Sequence, residues 1–274
     1  MKPNLRTLVL LSCILALPAL AAELQKKTSS AFDHYVQITE ARIAGEMGDA
    51  NSFLWVDRQP EQRRKELLGL LAKGQVVVQH METREGGKEI PIPDGMVHHW
   101  MATVFVPGVN LQQTLALMQD FEHHTEIYKD DVIRAKILNK KGNDFQLYLR
   151  LHRKTVVTVV YDTQFDIRFF PVDKAREYSR HSATKIVEVE NAGRPGEHED
   201  PAGNDRGFLW RLNTYWRYQE KNGGVFIQVE FITLSRSVPT IFAWLVNPYI
   251  KSIPHEYLTH LLETTRSALT AKKS

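Results

Sequence analysis

The chain has 274 residues, 43% of them hydrophobic and 24% charged, a balance that excludes a disordered chain and a multi-span membrane protein and fits one or two globular domains. Lys and Arg number 35 against 32 Asp and Glu, an excess too small for a nucleic-acid footprint. The single cysteine, Cys13, excludes a disulfide framework, a cysteine-rich zinc site and a redox pair.

At the start, Lys2 and Arg6 precede an apolar run from Leu8 to Leu17, then Pro18 and the small-residue triplet Ala19-Leu20-Ala21. This pattern predicts a signal peptide over 1–21 and a secreted or periplasmic protein. A retained membrane anchor is an alternative, against which the run is short and charged Glu23, Lys26 and Lys27 follow it. A lipoprotein is another, since Leu10-Leu11-Ser12-Cys13 is similar to a lipobox. Cleavage after Ala21 removes Cys13 with Lys2 and Arg6 and leaves a nearly neutral chain.

Leu24 to Ala44 and Arg58 to Lys73 are polar stretches with spaced apolar residues and predict two helices, separated by a loop rich in Gly, Asp, Asn and Ser. Pro60 and Glu61 suit the opening of the second. After Gly74 the character turns to strands at Gln75 to Thr83 and Val97 to Val106. Asn110 caps a short helix reaching Phe121. Six strands follow, over Val132 to Leu138, Asp144 to His152, Thr155 to Phe169, Glu177 to Glu190, Gly207 to Glu220 and Val225 to Ser237. Short turns such as Lys221-Asn222-Gly223-Gly224 predict antiparallel hairpins. Asn191 to Arg206 is the most coil-like stretch. The end is helical, with a piece over Pro239 to Val246, an interruption at Asn247-Pro248, and a second piece from Pro254 to about Ala271.

This order, with the segments FEHHTEIYKDDVIRAKIL, GFLWRLNTYWRYQEKNGGVFIQVEFITLSRSVP and SIPHEYLTHLLETTRSAL, resembles the helix-grip superfamily of START lipid-transfer domains, polyketide cyclases and pollen-allergen-like proteins. The resemblance covers roughly Lys73 to Lys272. It implies an α+β fold, a curved antiparallel sheet of about seven strands wrapped on a long C-terminal helix, with residues 22–72 as an N-terminal helical extension and 73–274 as the START-like domain. It also implies a hydrophobic cavity between sheet and closing helix.

Alternate residues of a strand share a face. Phe208, Trp210, Leu212, Trp216 and Tyr218 fall on one face of the penultimate strand against Arg211, Asn213, Arg217 and Gln219. Val225, Ile227, Val229 and Phe231 oppose Gln228 and Glu230, and Leu147, Leu149 and Leu151 oppose Tyr148, Arg150 and His152. Val157, Val159, Tyr161, Phe165 and Ile167 oppose Thr158, Asp162, Asp166 and Arg168. The cavity lining expected from this alternation is Leu149, Tyr161, Phe165, Trp210, Leu212, Trp216, Val229 and Phe231, with Trp244, Tyr257 and Leu261 from the closing helix. Read blandly, the same residues fill a dry core.

The pairs His98-His99 and His123-His124 diverge on a strand or helix and do not form simple paired ligands, and no HExxH spacing occurs. Glu197, Glu199, Asp200 and Asp205 read as a solvated loop rather than a calcium site. No GxSxG elbow or phosphate-binding glycine pattern is present. Asp162, Glu230, Arg150, Arg211 and His152 read as outward charge pairs, whereas a buried Glu230 facing an arginine would be a site candidate. The expectation is a carrier or binder of a lipid or other hydrophobic small molecule, with no cofactor, no metal, no catalytic residue and no nucleic-acid partner. A cyclase- or aromatase-like enzyme and an envelope interaction module with a protein or membrane-surface partner are the rivals.

Overall fold

A computed structural model describes residues 22–49, 51–154, 158–237 and 240–271, with the side chains of the closing helix described from Ile253 onward. The expected signal segment with Cys13, the strand residue Val157 and the Trp244 side chain lie outside the described residues. The elements are helices α1 (Lys26–Met47) and α2 (Glu61–Ala72), strands β1 (Val77–His80) and β2 (Gly95–Pro107), and helix α3 (Leu111–Met118). Strands β3 (Val132–Lys141), β4 (Asp144–Lys154), β5 (Thr158–Pro171), β6 (Arg176–Glu190), β7 (Arg211–Lys221) and β8 (Gly224–Arg236) follow, and helix α4 (Thr240–Ala271) closes the chain.

One antiparallel sheet carries the order β1-β2-β8-β7-β6-β5-β4-β3. A two-residue hairpin joins β7 to β8 through Asn222 and Gly223, both at positive φ (57° and 74°), the type I′ geometry that matches the right-handed twist of the strands. Register shifts in the β3–β4 and β5–β6 pairings bend the sheet. Helix α4 lies across the concave face against β2 and β1, burying Leu258, Leu261, Leu262 and Leu269. This is the α+β helix-grip arrangement.

Helix α4 runs unbroken through Asn247, Pro248 and Pro254, so the interruption expected there does not occur. An internal proline removes one helix hydrogen bond and costs about 3 kcal/mol. The leucine stripe packed on the sheet offsets that cost.

The convex face is covered too. Phe32, Tyr35, Thr39, Ile43 and Glu46, at helical spacing, form the buried face of α1, and Phe32, Tyr35 and Ile43 pack with Tyr215, Ile232 and Leu234 of the sheet. The approach is close enough that a Cβ on Gly95 would lie 2.8 Å from Thr28 Cγ2 and 2.9 Å from Leu234 Cδ1. Leu67 and Leu71 of α2 join Phe53, Leu54, Val56 and Phe226 in a neighbouring cluster.

Alternation places Glu230 and Arg217 on the outer face, but they are not outward: each is 1% exposed, buried beneath α1 and the segment that follows it. Arg217 donates to Phe53 O and to Glu46, each at 2.6 Å. Arg42 bonds Glu46 at 2.9 Å and also Glu230, and Arg58 bonds Glu46. His99 Nε2 lies 2.6 Å from Glu230 Oε1, Tyr35 Oη lies 2.8 Å from His99 Nδ1, and Thr83 N donates to Tyr35 Oη. Burial opposes ionisation of Glu230, yet the His99 bond and the charges of Arg42 and Arg217 outweigh it and draw its pKa down to about 2.

The loop at 191–206 is pinned over the far end of the same face. Arg150 bonds Asp162 at 2.7 Å and Glu197 at 2.8 Å, and Lys185 bonds Glu199 at 2.6 Å.

Candidate functional site

The concave face is built by register. Trp216 opposes Val229, Thr214 opposes Phe231, Leu147 opposes Phe165 and Leu151 opposes Tyr161, and directly opposed residues point to one side of a sheet. Leu149, Tyr161, Phe165, Leu212, Trp216, Val229 and Phe231 therefore gather in one cluster with Tyr257 and Leu261 of α4. Trp210 does not join them: it packs with Phe32, Tyr35 and Ile43 on the opposite side. It precedes the first residue of β7, where period-two alternation no longer sets the direction of a side chain. Phe208, two residues earlier, is 42% exposed and also leaves the inner face.

Aromatic rings line the deep end. Phe121 lies 5.1 Å from Phe145, Phe145 5.9 Å from Phe169, Phe169 6.0 Å from His181 and His181 6.2 Å from Trp216, centroid to centroid. Tyr218 stacks on Trp216 at 6.3 Å. Inside this hydrocarbon sits a set of polar groups. His181 Nε2 is 3.0 Å from Ser179 Oγ, Tyr128 Oη is 3.0 Å from Thr265 Oγ1 of α4, and the His124 ring lies 5.0 Å from that of Tyr128.

Burial governs the protonation of these groups. It lowers His124 to about 4, against the opposing pull of Asp120, and His181 to about 3, with the field of His124 adding to it. Both imidazoles are neutral at pH 7. Burial raises Tyr128 to about 12 and holds Tyr218 well above the ordinary tyrosine value. Glu177, which opposes Tyr218 across β6 and β7, is raised by burial to about 7.

At the other end of the interior the Arg153 guanidinium stacks over Tyr257, 3.4 Å from the ring centroid, and bonds Asp131 at 2.9 Å. Glu188, which opposes Tyr161 across β5 and β6, accepts from Arg206 at 2.5 Å. Glu188, Glu190 and Asp200 come close enough to share a cation. Arg206, which also lies 3.3 Å from Glu190, supplies positive charge to that cluster, so its chemistry is ion pairing within the protein. His98 and His99 fall on opposite faces of β2, His98 bonding Ser235 at 2.9 Å and His99 bonding Glu230.

Open grooves on the described surface include two beside helices. One lies between α1 and the end of β5, lined by Ile43, Met47, Phe170, Val172 and Tyr178. The other lies beside α3, lined by Leu111, Leu115, Lys174 and Glu220. Neither is at the interface of sheet and α4.

The polar groups of the deep end were only partly foreseeable. Alternation gives Tyr218 its face, but the sequence presents His124 merely as half of a histidine pair, and nothing local announces that His181 and Ser179 meet the same interior. The signal that finds them is strand register, which sets His181 opposite Thr214 and Ser179 opposite Trp216.

No protein-family model matches the sequence, and no curated protein matches it significantly. Among solved structures the chain is similar to a STAR-related lipid transfer protein from Xanthomonas axonopodis, at 15% identity and a TM-score of 0.44, over 70% of this chain and 98% of that one. It is similar to human STARD10 at 11% identity and a TM-score of 0.44, over 82% and 83% of the two chains. It is similar to the Zhui aromatase/cyclase from Streptomyces at 8% identity and a TM-score of 0.44, over 65% and 97%.

Proposed function

We propose that this protein binds a lipid or other hydrophobic small molecule between the concave face of the sheet and α4, and does so outside the cytoplasm. The observation that carries the reading is the wall itself: Tyr161, Phe165, Trp216, Val229 and Phe231 from three strands gather with Tyr257 and Leu261 of α4. Apolar ligand surface leaving water for such a wall gains about 25 cal/mol per Å² before the costs of association. Entry requires α4 to lift from β2, a motion of the kind that gates many buried sites. The export signal expected over residues 1–21 supports the compartment.

The test is native mass spectrometry and solvent extraction of the full-length protein recovered from a host envelope. Co-purification of an apolar small molecule is the expected result. Repeated recovery of empty protein, with an experimental structure in which side chains fill the whole space between sheet and α4, overturns the reading.

A second reading, an enzyme that folds and protonates a reactive apolar intermediate, is favoured by one observation. His124 and Glu177 are buried and His181 half-buried, and all three are displaced from their ordinary pKa values, as acid and base groups of active sites often are. Turnover of an apolar carbonyl substrate with a pH profile that Glu177→Gln abolishes would favour it over simple carriage.

A further inference from the structure

Strand β3 forms one edge of the sheet and pairs with β4 alone. Two register shifts interrupt that pairing, one between Val132 and Arg134 and one between Ile137 and Asn139. The residues set out of the ladder are Ile133 and Leu138, and they are the most exposed large hydrophobic side chains among the described residues, at 52% and 46%. A bulge re-aims a side chain. Here both bulges leave an apolar one in water.

Cations fill the intervals. Arg134 and Lys136, opposite Arg150 and Tyr148 of β4, share one face of the strand, and Lys140 and Lys141 follow the second bulge. All four are exposed. No Asp or Glu occurs from 132 to 143. The carboxylates that bracket the stretch are engaged elsewhere, Asp131 with Arg153 at 2.9 Å and Asp144 with Arg168 at 3.0 Å, while Asp130 faces His260 of α4 at 3.9 Å. Among the described residues none of the four edge cations has an ion-pair partner, and Lys140 lies over the Phe145 ring at 4.9 Å. Four positive charges on this ten-residue strand exceed the formal +3 of the whole chain.

Edge strands carry lysines and bulges as protection against pairing with another chain. That accounts for the cations and for the interrupted ladder. It does not account for isoleucine and leucine at the two bulged positions, where polar side chains would protect as well and leave less apolar surface in water. The same bulges argue against a peptide strand as partner, since they break the continuous row of backbone groups that strand addition uses. The edge instead fits a partner met by side chains. That partner is negatively charged, continuous over the roughly 16 Å between residues five apart on a strand, and able to take in apolar groups. A bilayer surface has all three properties.

We infer that β3 docks the protein on an anionic lipid bilayer, with Ile133 and Leu138 entering the headgroup region and Arg134, Lys136 and Lys141 meeting lipid phosphates. The inference stands apart from what the interior binds.

The experiment is flotation of the exported full chain with vesicles of phosphatidylcholine alone or of equal parts phosphatidylcholine and phosphatidylglycerol. Binding to the mixed vesicles at about 0.05 M salt is expected, with little binding to phosphatidylcholine alone and loss of binding at about 0.5 M salt. Arg134→Gln combined with Lys136→Gln should weaken it about twentyfold, roughly fivefold for each cation removed from an anionic surface. Ile133→Ser combined with Leu138→Ser should weaken it about tenfold. Both variants are checked for native circular dichroism and carry the same N-terminus as the parent. Arg63→Gln combined with Lys65→Gln, the same charge change on exposed positions of α2, should stay within about threefold of the parent. Absence of vesicle binding, equal binding to both vesicle types, edge variants that bind like the parent, or an equal loss in the α2 variant overturns the inference. Binding of soluble polyglutamate without vesicle binding also overturns it and assigns the edge to an acidic protein. Each of these outcomes leaves the reading of the apolar interior untouched.

Discussion

The two faces of the sheet bury polar groups in opposite ways. On the convex face two buried carboxylates meet arginines of the same chain, Glu230 with Arg42 and Glu46 with Arg42, Arg58 and Arg217. On the deep concave face they are two imidazoles held neutral and a tyrosine hydroxyl that stays protonated. A buried charge without a partner costs several kcal/mol, so the chain must provide that partner itself. A neutral polar group needs no counter-charge, and a hydroxyl or carbonyl nearby is enough to meet it. The N-terminal helices are therefore a built-in complement to one face, whereas α4 is a cover for the other.

This contrast can be broken experimentally, most severely on the charged side. Glu230→Ala takes from Arg42 and His99 the carboxylate that both bond and is expected to destabilise the fold by about 3–5 kcal/mol in denaturant unfolding. A loss below about 1 kcal/mol would mean that water enters beneath α1 and the face is not a closed charged layer. On the concave side, Leu262→Ala removes a fully buried contact of α4, with an expected loss of about 2–5 kcal/mol and faster exchange of backbone amides in α4 while α1 keeps its protection.

Acid separates the faces by pH window. Neutral burial places His124 and His181 at about 4 and about 3 in the folded protein, below the roughly 6.5 of an unfolded chain. The unfolded state then binds more protons, and stability present above pH 6.5 is lost as pH falls toward those values. Glu230, held near 2, acts lower down: its contribution is present above the unfolded carboxyl value and lost between about pH 4.5 and pH 2. His181→Phe should flatten the first window by about 2–3 kcal/mol at pH 4 and leave the second in place, as read from urea titrations across pH.

The smallest expected effect tests the cap of α3. Asn110 Oδ1 accepts from Gln113 N at 2.8 Å while Gln113 Oε1 accepts from Asn110 N at 3.0 Å. Asn110→Ala should cost about 1 kcal/mol in denaturant unfolding.

Much of the concave wall was legible in the chain. Leu212, Trp216, Val229 and Phe231 sit where strict alternation places them, because the direction of a strand side chain is set by its own backbone. Trp210 failed that rule by standing one residue outside its strand. The unbroken α4 was missed because a proline's local penalty was weighed without the leucine stripe that outweighs it.

By itself the sequence determined the order of helices and strands, the apolar side of each strand, the Asn-Gly turn between β7 and β8 and the cap of α3, all of which depend on neighbours a few residues apart. Only the tertiary structure decided that α1 seals the convex face, that Glu230 is buried against arginine, and that His181 meets Ser179 beside Trp216. The physical reason is distance along the chain. Arg42 and Glu230 are 188 positions apart, and no period of two or 3.6 residues records which distant partner a side chain will meet.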